Sequence, residues 1–209
     1  MKLFFFDRSR DSRRNRDRRC LRGEMMSEEI IVQYGSPTLA GIKTGNLFTC
    51  PFKDRGQTMR ELRRLNRELV PKGLRVLPLR YSDKRVLVYL YRPDRLEKDL
   101  SASEAADLLE QAGYKFGNVN QCVVELIHRL NNLDGEFPHE IGLFLSYPPE
   151  DVRGFIEHRE AGCKLIGTWR VYGDEERARE IFDKYRRCTE SYCRQWSTGV
   201  PLVRLAVAV

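Results

Sequence analysis

The sequence predicts an α+β (mixed α/β) fold: a single layered domain with helices packed on a mixed sheet that contains one antiparallel hairpin. Three observations support this class. LRVLPLRYSDKRVLVYLYR (74–92) has two strand-like runs around Ser82 and Asp83. Several later segments have apolar residues at helical spacing, and short apolar runs lie between them. The hairpin is expected to be antiparallel, whereas the sequence leaves open whether the two later strands pair in parallel.

In the first half, leucines at helical spacing predict a helix over 57–70, which Gly73 ends. The hairpin follows. Ser101 and Glu104 have the spacing of a capping box, so the next helix is expected over 102–112.

In the second half, Asn118 is expected to cap a helix whose apolar stripe runs over 119–130. Ile141 to Leu145 is a compact apolar run and predicts a strand, and Pro149 suits the first turn of the helix after it.

The C-terminal part is predicted as strand, helix and strand. CKLIGTWRV (163–171) has strand composition, and Asp174 is expected to cap a long helix with an apolar stripe over 178–196. VPLVRLAVAV (200–209) is consistent with a last strand.

Composition and charge indicate a soluble globular chain with a basic leader. The apolar runs are far shorter than the ~20 residues that cross a bilayer, so no membrane span is expected. Of the net charge of +7, most comes from Met1 to Gly23, which holds nine Lys and Arg against three Asp. We therefore expect a disordered leader over 1–24 and one globular domain over 25–209. The leader is either a nucleic-acid or anionic-surface arm, or sequence ahead of a true start at Met25 or Met26; the second interpretation is favoured.

Six cysteines without a secretory signal predict reduced thiols in a cytoplasmic protein. Cys188 and Cys193 are five residues apart, a step that turns a helix by about 140° and separates the two sulfurs. No metal site is predicted, and the cofactor is left unknown.

The stretch GSPTLAGIKTGNLF (35–48) resembles a phosphate-binding loop but fails its spacing. Ile42 stands between Gly41 and Lys43, where the loop needs glycine directly before lysine. Pro37 also removes one of the amides that would bind phosphate. A nucleotide-hydrolysing loop is therefore not predicted.

The same stretch, with FPHEIGLFLSYPPEDVRGFIEH and GTWRVYGDEERARE, is similar to the bacterial family catalogued as domain of unknown function 3793, best known in anaerobic Firmicutes. The resemblance covers nearly everything after Met25. It implies no established activity and therefore no catalytic residues. Its gene neighbourhood, near flavodoxin and ferrous-iron transport genes, implies iron or redox metabolism as an alternative setting.

Lys43, Thr44 and Asn46 are candidate anion ligands because they lie in a glycine-flanked loop. The other interpretation of this loop is a tight structural turn. Tyr147, before a double proline, is a further candidate that either lines a pocket or packs in the core.

Arg80 and Arg85 would be directly opposed if the hairpin turn were Ser82–Asp83. Two opposed arginines repel unless an anion lies between them, so this pair is a candidate anion clamp. A turn of another length, or arginines spread into solvent, would remove the clamp and is the favoured interpretation.

His139 and Glu140 precede the predicted strand and are the candidate acid–base pair. The position four residues after His139 is Leu143, so zinc-peptidase spacing fails. Hydrogen bonding of His139 at the end of a strand is the structural alternative.

Two functions remain open. The favoured one is a binding or accessory protein that recognises a small anionic ligand or a protein partner. The alternative is an enzyme of iron or redox metabolism that uses His139 and Glu140. Nucleic-acid binding rests on the leader alone, and the sequence does not predict the oligomeric state.

Overall fold

The computed structural model describes residues 27–115, 117–132 and 137–208. The predicted leader over 1–24 lies outside these residues. Within the described ranges, no helix is long and apolar enough to cross a bilayer.

The helices and strands are numbered here in chain order. They are α1 Glu28–Leu39, β1 Gly45–Pro51, α2 Arg55–Leu69, β2 Arg75–Ser82, β3 Arg85–Tyr91, α3 Pro93–Ser101, α4 Ser103–Gln111, α5 Val119–Asn131, α6 Ile141–Phe144, α7 Pro149–His158, β4 Leu165–Ile166, β5 Arg170–Val171, α8 Glu175–Ser197 and α9 Leu202–Leu205. A short 3-10 turn, Val70–Lys72, follows α2.

The main sheet has the order β1-β3-β2, and β3 is antiparallel to both neighbours. The α+β class and the β2–β3 hairpin are therefore confirmed. The prediction of a mixed sheet is wrong, because every strand pair in the described residues is antiparallel. β1 was not predicted, because the glycine and asparagine at its start gave no strand signal.

The central strand β3 is buried on both faces, as expected for a strand with helices on either side. Since side chains alternate along a strand, successive residues enter different cores. One face packs against α1, α2 and α9. The other packs against α3 to α7. The first face is formed by Val86, Val88 and Leu90, and the second by Leu87, Tyr89 and Tyr91.

Most predicted helices are confirmed, and two of them begin at the predicted cap. The Asn118 side chain accepts a hydrogen bond from the Gln121 amide at 3.0 Å and begins α5. Asp174 does the same for the Arg177 amide at 3.0 Å and begins α8. Pro149 occupies the first turn of α7, as predicted.

The predicted capping box at Ser101 is wrong. Ser101 ends α3, and its hydroxyl donates to the Glu97 carbonyl at 2.6 Å. The extended backbone of Ala102 separates α3 from α4. The predicted helix over 102–112 nevertheless exists as α4, and Gly113 with its φ of 81° follows it, as predicted.

Three predicted strands are corrected. Residues 141–145 form the helical turn α6 and its end, with the Leu143 amide donating to the Glu140 carbonyl at 2.9 Å. Residues 163–171 form not one strand but the small β4–β5 hairpin, and 200–209 contains α9. Short apolar runs are buried equally well as strand or helix, so apolar composition alone did not separate them.

Candidate functional site

The candidate site is built around Lys43, in the turn between α1 and β1. The amides of Ile42 and Lys43 both donate to the Pro37 carbonyl, at 3.0 and 3.1 Å, which ties this turn to the end of α1. The turn directs Lys43 into the protein, where only 2% of the residue is exposed. A buried lysine is uncommon because its ammonium loses its hydration.

Two tyrosine rings surround the Lys43 amine. Nζ lies 5.3 Å from the ring centroid of Tyr147 and 5.5 Å from that of Tyr185. Tyr147 is held in place because it stacks on Trp169 at 4.9 Å and its hydroxyl donates to the Thr168 carbonyl at 3.2 Å. The ring faces attract a cation, but more weakly than a carboxylate would.

Burial lowers the pKa of Lys43 from 10.5 to about 7. Loss of hydration is the cause, and no carboxylate that the structure describes forms an ion pair with this amine. Both the neutral amine and the ammonium are therefore present near neutral pH.

Polar side chains surround Thr44, the residue that follows Lys43. The Thr44 amide donates to Ser146 Oγ at 3.3 Å, and the Thr44 hydroxyl donates to Asp99 Oδ2 at 2.5 Å. Burial raises the pKa of Asp99, and the hydrogen bond from Thr44 opposes this effect. Burial also raises the pKa of Tyr185, which a hydrogen bond with Ser146 lowers in part.

The segment after α6 closes the site against β1. Ser146 has a left-handed backbone with φ of 54°, which is uncommon for a residue other than glycine. The Tyr89 hydroxyl donates to the Phe144 carbonyl at 2.6 Å. A Cβ at Gly45 would lie only 2.7 Å from that same carbonyl oxygen, so this close approach requires glycine.

Tyr147 and Tyr185 are half-buried, whereas Lys43 beneath them is buried. The amine is thus one side chain below the surface. A surface depression of about 710 Å³ lies elsewhere, along charged side chains of α8 that include Glu180 and Lys184. Its lining does not include Lys43.

Of the residues predicted to bind a ligand, the structure brings together Lys43, Thr44 and Tyr147. Asn46 does not join them. Its side chain accepts a hydrogen bond from the Thr38 hydroxyl at 2.7 Å. Successive side chains of a strand point to opposite faces of the sheet, so Asn46 and Leu47 of β1 lie on different faces.

Arg80 and Arg85 do not form the predicted clamp. The hairpin turn lies one residue later than the clamp requires, so Arg85 pairs with Ser82 and Arg80 with Leu87. Arg85 instead donates to the Thr49 hydroxyl at 2.6 Å on the neighbouring strand. The two arginines are thus not opposed, and a ligand-binding role for either one stays a prediction.

His139 and Glu140 precede α6 rather than a strand. Glu140 is buried and accepts a hydrogen bond from the Tyr114 hydroxyl at 3.0 Å. Its carboxylate lies 3.8 Å from the Arg129 guanidinium, which stacks over the Tyr114 ring at 4.3 Å. The His139 ring packs edge-on against Phe155 at 4.9 Å. Their use as an acid–base pair stays a prediction.

The contact of Tyr185 with Lys43 and those of Asp99 and Ser146 with Thr44 were not predicted from the sequence. Tyr185 was recognised only as part of the apolar stripe of α8. The site joins the α1–β1 turn, α3, the α6–α7 turn and α8, and contacts between such distant segments leave no spacing signal in a single sequence.

Of the described cysteines, Cys50, Cys122, Cys163, Cys188 and Cys193 are free. Burial raises the pKa of Cys50 to about 12, which makes its thiol unreactive near neutral pH. In the described ranges, no group of three or more His, Cys, Asp or Glu side chains is arranged to hold a metal ion.

The sequence matches the model of a known protein family. The family described as "Protein of unknown function (DUF3793)" matches residues 31–206. The chain belongs to this family. The matched range contains every residue of the Lys43 site, from the α1–β1 turn to α8. No curated protein and no solved structure matches this DUF3793 chain.

Proposed function

We propose that this DUF3793 protein binds a small anionic ligand whose negative group pairs with the Lys43 ammonium. The observation that carries the proposal is a buried amine between two aromatic rings with no described carboxylate as its partner. Buried charges in proteins are normally paired. No described side chain supplies the anion that would pair with the Lys43 ammonium.

Protonation of the buried Lys43 amine costs the folded protein free energy. Each pH unit by which burial lowers a pKa corresponds to about 1.4 kcal/mol. Lowering it from 10.5 to about 7 therefore costs the folded protein about 5 kcal/mol when the amine is protonated. An anion beside the ammonium would recover part of this cost, and that recovery is a driving force for binding.

The groups around the amine limit the size of the ligand. The Thr44 hydroxyl donates to Asp99 and the Ser146 hydroxyl donates to the Leu145 carbonyl, so both are engaged within the chain. Tyr185 is half-buried, belongs to α8 and lies against the amine, so a rotation of its side chain would expose the amine. The buried position of the amine favours a ligand with one compact negative group over a large polyanion.

The geometry gives less support to an enzyme that uses His139 and Glu140. The Glu140 carboxylate is already engaged by Tyr114 and lies beside Arg129. A buried carboxylate that accepts a hydrogen bond from a buried side chain is typical of a structural role. The Lys43 site is therefore the better basis for function.

Calorimetric titration with acetate, a small carboxylate probe, tests the proposal. Acetate pairs with the ammonium only, so its affinity should fall roughly tenfold for each pH unit above about 7. Lys43→Met should abolish this binding. The matched control Lys184→Met changes an exposed lysine on α8 and should retain it.

Equal acetate binding by the wild type and Lys43→Met would contradict the proposal. So would an affinity that does not change between pH 6 and pH 9. Circular dichroism of each variant would establish that the fold is retained.

A further inference from the structure

We infer that Lys43 forms an imine with a carbonyl group of its ligand, and that the ligand class is a small oxo acid carrying both a carbonyl and a carboxylate. This inference rests on the proposed function, because the carboxylate is the anion that the Lys43 site would bind. It adds a covalent step that anion binding alone does not require.

The geometry around the amine supports this chemistry. Nζ is buried between the faces of Tyr147 and Tyr185, which shield it from bulk water. A lysine desolvated in this way is a better nucleophile, because more of it is the neutral amine. Burial alone lowers the pKa of Lys43 to about 7, so about half of the molecules carry this nucleophile at pH 7.

The missing counter-charge selects the ligand class. A protonated imine keeps the positive charge of the lysine, and no described carboxylate forms an ion pair with that side chain. The two ring faces stabilise a cation but do not neutralise it. A ligand that brings its own carboxylate next to the carbonyl supplies the anion in the same step.

The step is balanced without a further reactant. The lone pair of the neutral Nζ attacks the carbonyl carbon, and the carbon–oxygen π bond breaks. Two protons on the amine and one from solvent are then redistributed: two leave with the oxygen as water, and one remains on the imine nitrogen. The product is a protonated imine, with one carbon–nitrogen double bond formed and one carbonyl lost.

Tyr185 is one of the two side chains that cover the amine. It is half-buried, lies on α8, and its ring centroid is 5.5 Å from Nζ. Tyr185 is hydrogen-bonded to Ser146, whereas Tyr147 is held by its stack on Trp169 and its hydrogen bond to the Thr168 carbonyl, neither of which involves Tyr185. Removing the Tyr185 ring should therefore expose Lys43 without dismantling the opposite wall of the site.

Reductive trapping of the full chain tests the inference. Glyoxylate is the smallest oxo acid, and sodium cyanoborohydride converts its imine into a stable carboxymethyl amine. At pH 7 an exposed lysine is neutral roughly a thousandfold less often than Lys43. We therefore expect Lys43 to be the lysine that is carboxymethylated first at limiting reagent. Peptide mass spectrometry locates it and separates it from the N-terminal amine, of which about a tenth is neutral at pH 7.

Variants sharpen this test. Lys43→Met should lose the fast modification, Lys184→Met should keep it, and Tyr185→Ala should accelerate it severalfold. Modification spread evenly over exposed lysines, or equal fast modification in Lys43→Met, would overturn the inference. Equally fast trapping of propanal, which has a carbonyl but no carboxylate, would overturn the assignment of the ligand as an oxo acid.

The two proposals fail separately. Acetate binding that depends on Lys43, without glyoxylate trapping, would overturn the imine and leave the anion-binding function intact. Absence of both would overturn both proposals.

Discussion

Lys43 lowers the stability of the folded chain in a pH-dependent way. Its pKa is about 7 when folded and 10.5 in a solvated chain, so the folded protein releases this proton first as pH rises. Between these two values the unfolded state holds more protons, and stability therefore increases with pH. Below pH 7 both states are protonated and the full cost of burial is present.

Lys43→Met should therefore stabilise the protein, because it keeps the length of the side chain and removes the buried amine. The gain should reach up to about 5 kcal/mol below pH 7 and fall by about 3 kcal/mol between pH 6 and pH 9. Urea unfolding at both pH values measures it, with Lys184→Met as an exposed control that leaves stability within about 0.5 kcal/mol. A variant less stable than the wild type at pH 6 would show that Lys43 is paired.

At the level of elements, the β4–β5 hairpin depends on one buried carboxylate. Asp151, in α7, accepts hydrogen bonds from Trp169 Nε1 at 2.6 Å and from the amides of Tyr172 and Gly173 at 2.7 and 2.8 Å. These three bonds dock the hairpin on α7. Since Trp169 supports Tyr147, they also support one wall of the Lys43 site.

Asp151→Ala should release this hairpin. Three donors would lose their acceptor, so we expect a loss of about 2 to 4 kcal/mol in unfolding free energy. In a Trp196→Phe background, the fluorescence of Trp169 should shift to the red as it becomes hydrated. Asp107→Ala, an exposed change in α4, is the control. Unchanged Trp169 emission in Asp151→Ala would contradict this role.

The elements that the sequence predicted well are those with local signals. Asn118 and Asp174 are caps that act over three residues, so α5 and α8 were predictable from sequence alone. The residues 141–145 gave only an apolar run, and whether such a run is helix or strand depends on its tertiary neighbours. Gly142 in this run packs so closely that a Cβ would lie 2.8 Å from Val152, a constraint that no local pattern contains.

For the molecule as a whole, Arg92 links segments that are far apart in the chain. It is buried, and its guanidinium donates to the carbonyls of Thr38 and Leu39 at the end of α1 and of Val207 near the C-terminus, each at 2.8 Å. It also donates to the Lys72 carbonyl at 3.1 Å. Arg92 thereby fixes the end of α1, from which the turn that carries Lys43 begins.

The fold class could be predicted at this scale, but the arrangement could not. The hairpin and the helical stripes were sufficient for α+β, whereas β1 and the antiparallel order β1-β3-β2 depend on pairing between distant strands. Lys43 and Thr44 were recognised from their glycine-flanked loop. Their neighbours Tyr185 and Asp99 were not, because only the folded chain brings α8 and α3 to that loop.

The central claim is that Lys43 is a buried amine whose counter-ion comes from a ligand. It is tested most directly by NMR titration of the Lys43 side chain, with ¹³C-labelled lysine and Lys43→Met for assignment, in the absence and presence of acetate. We expect a midpoint near pH 7 that rises when acetate is added. A midpoint near 10.5 that acetate does not change would contradict it.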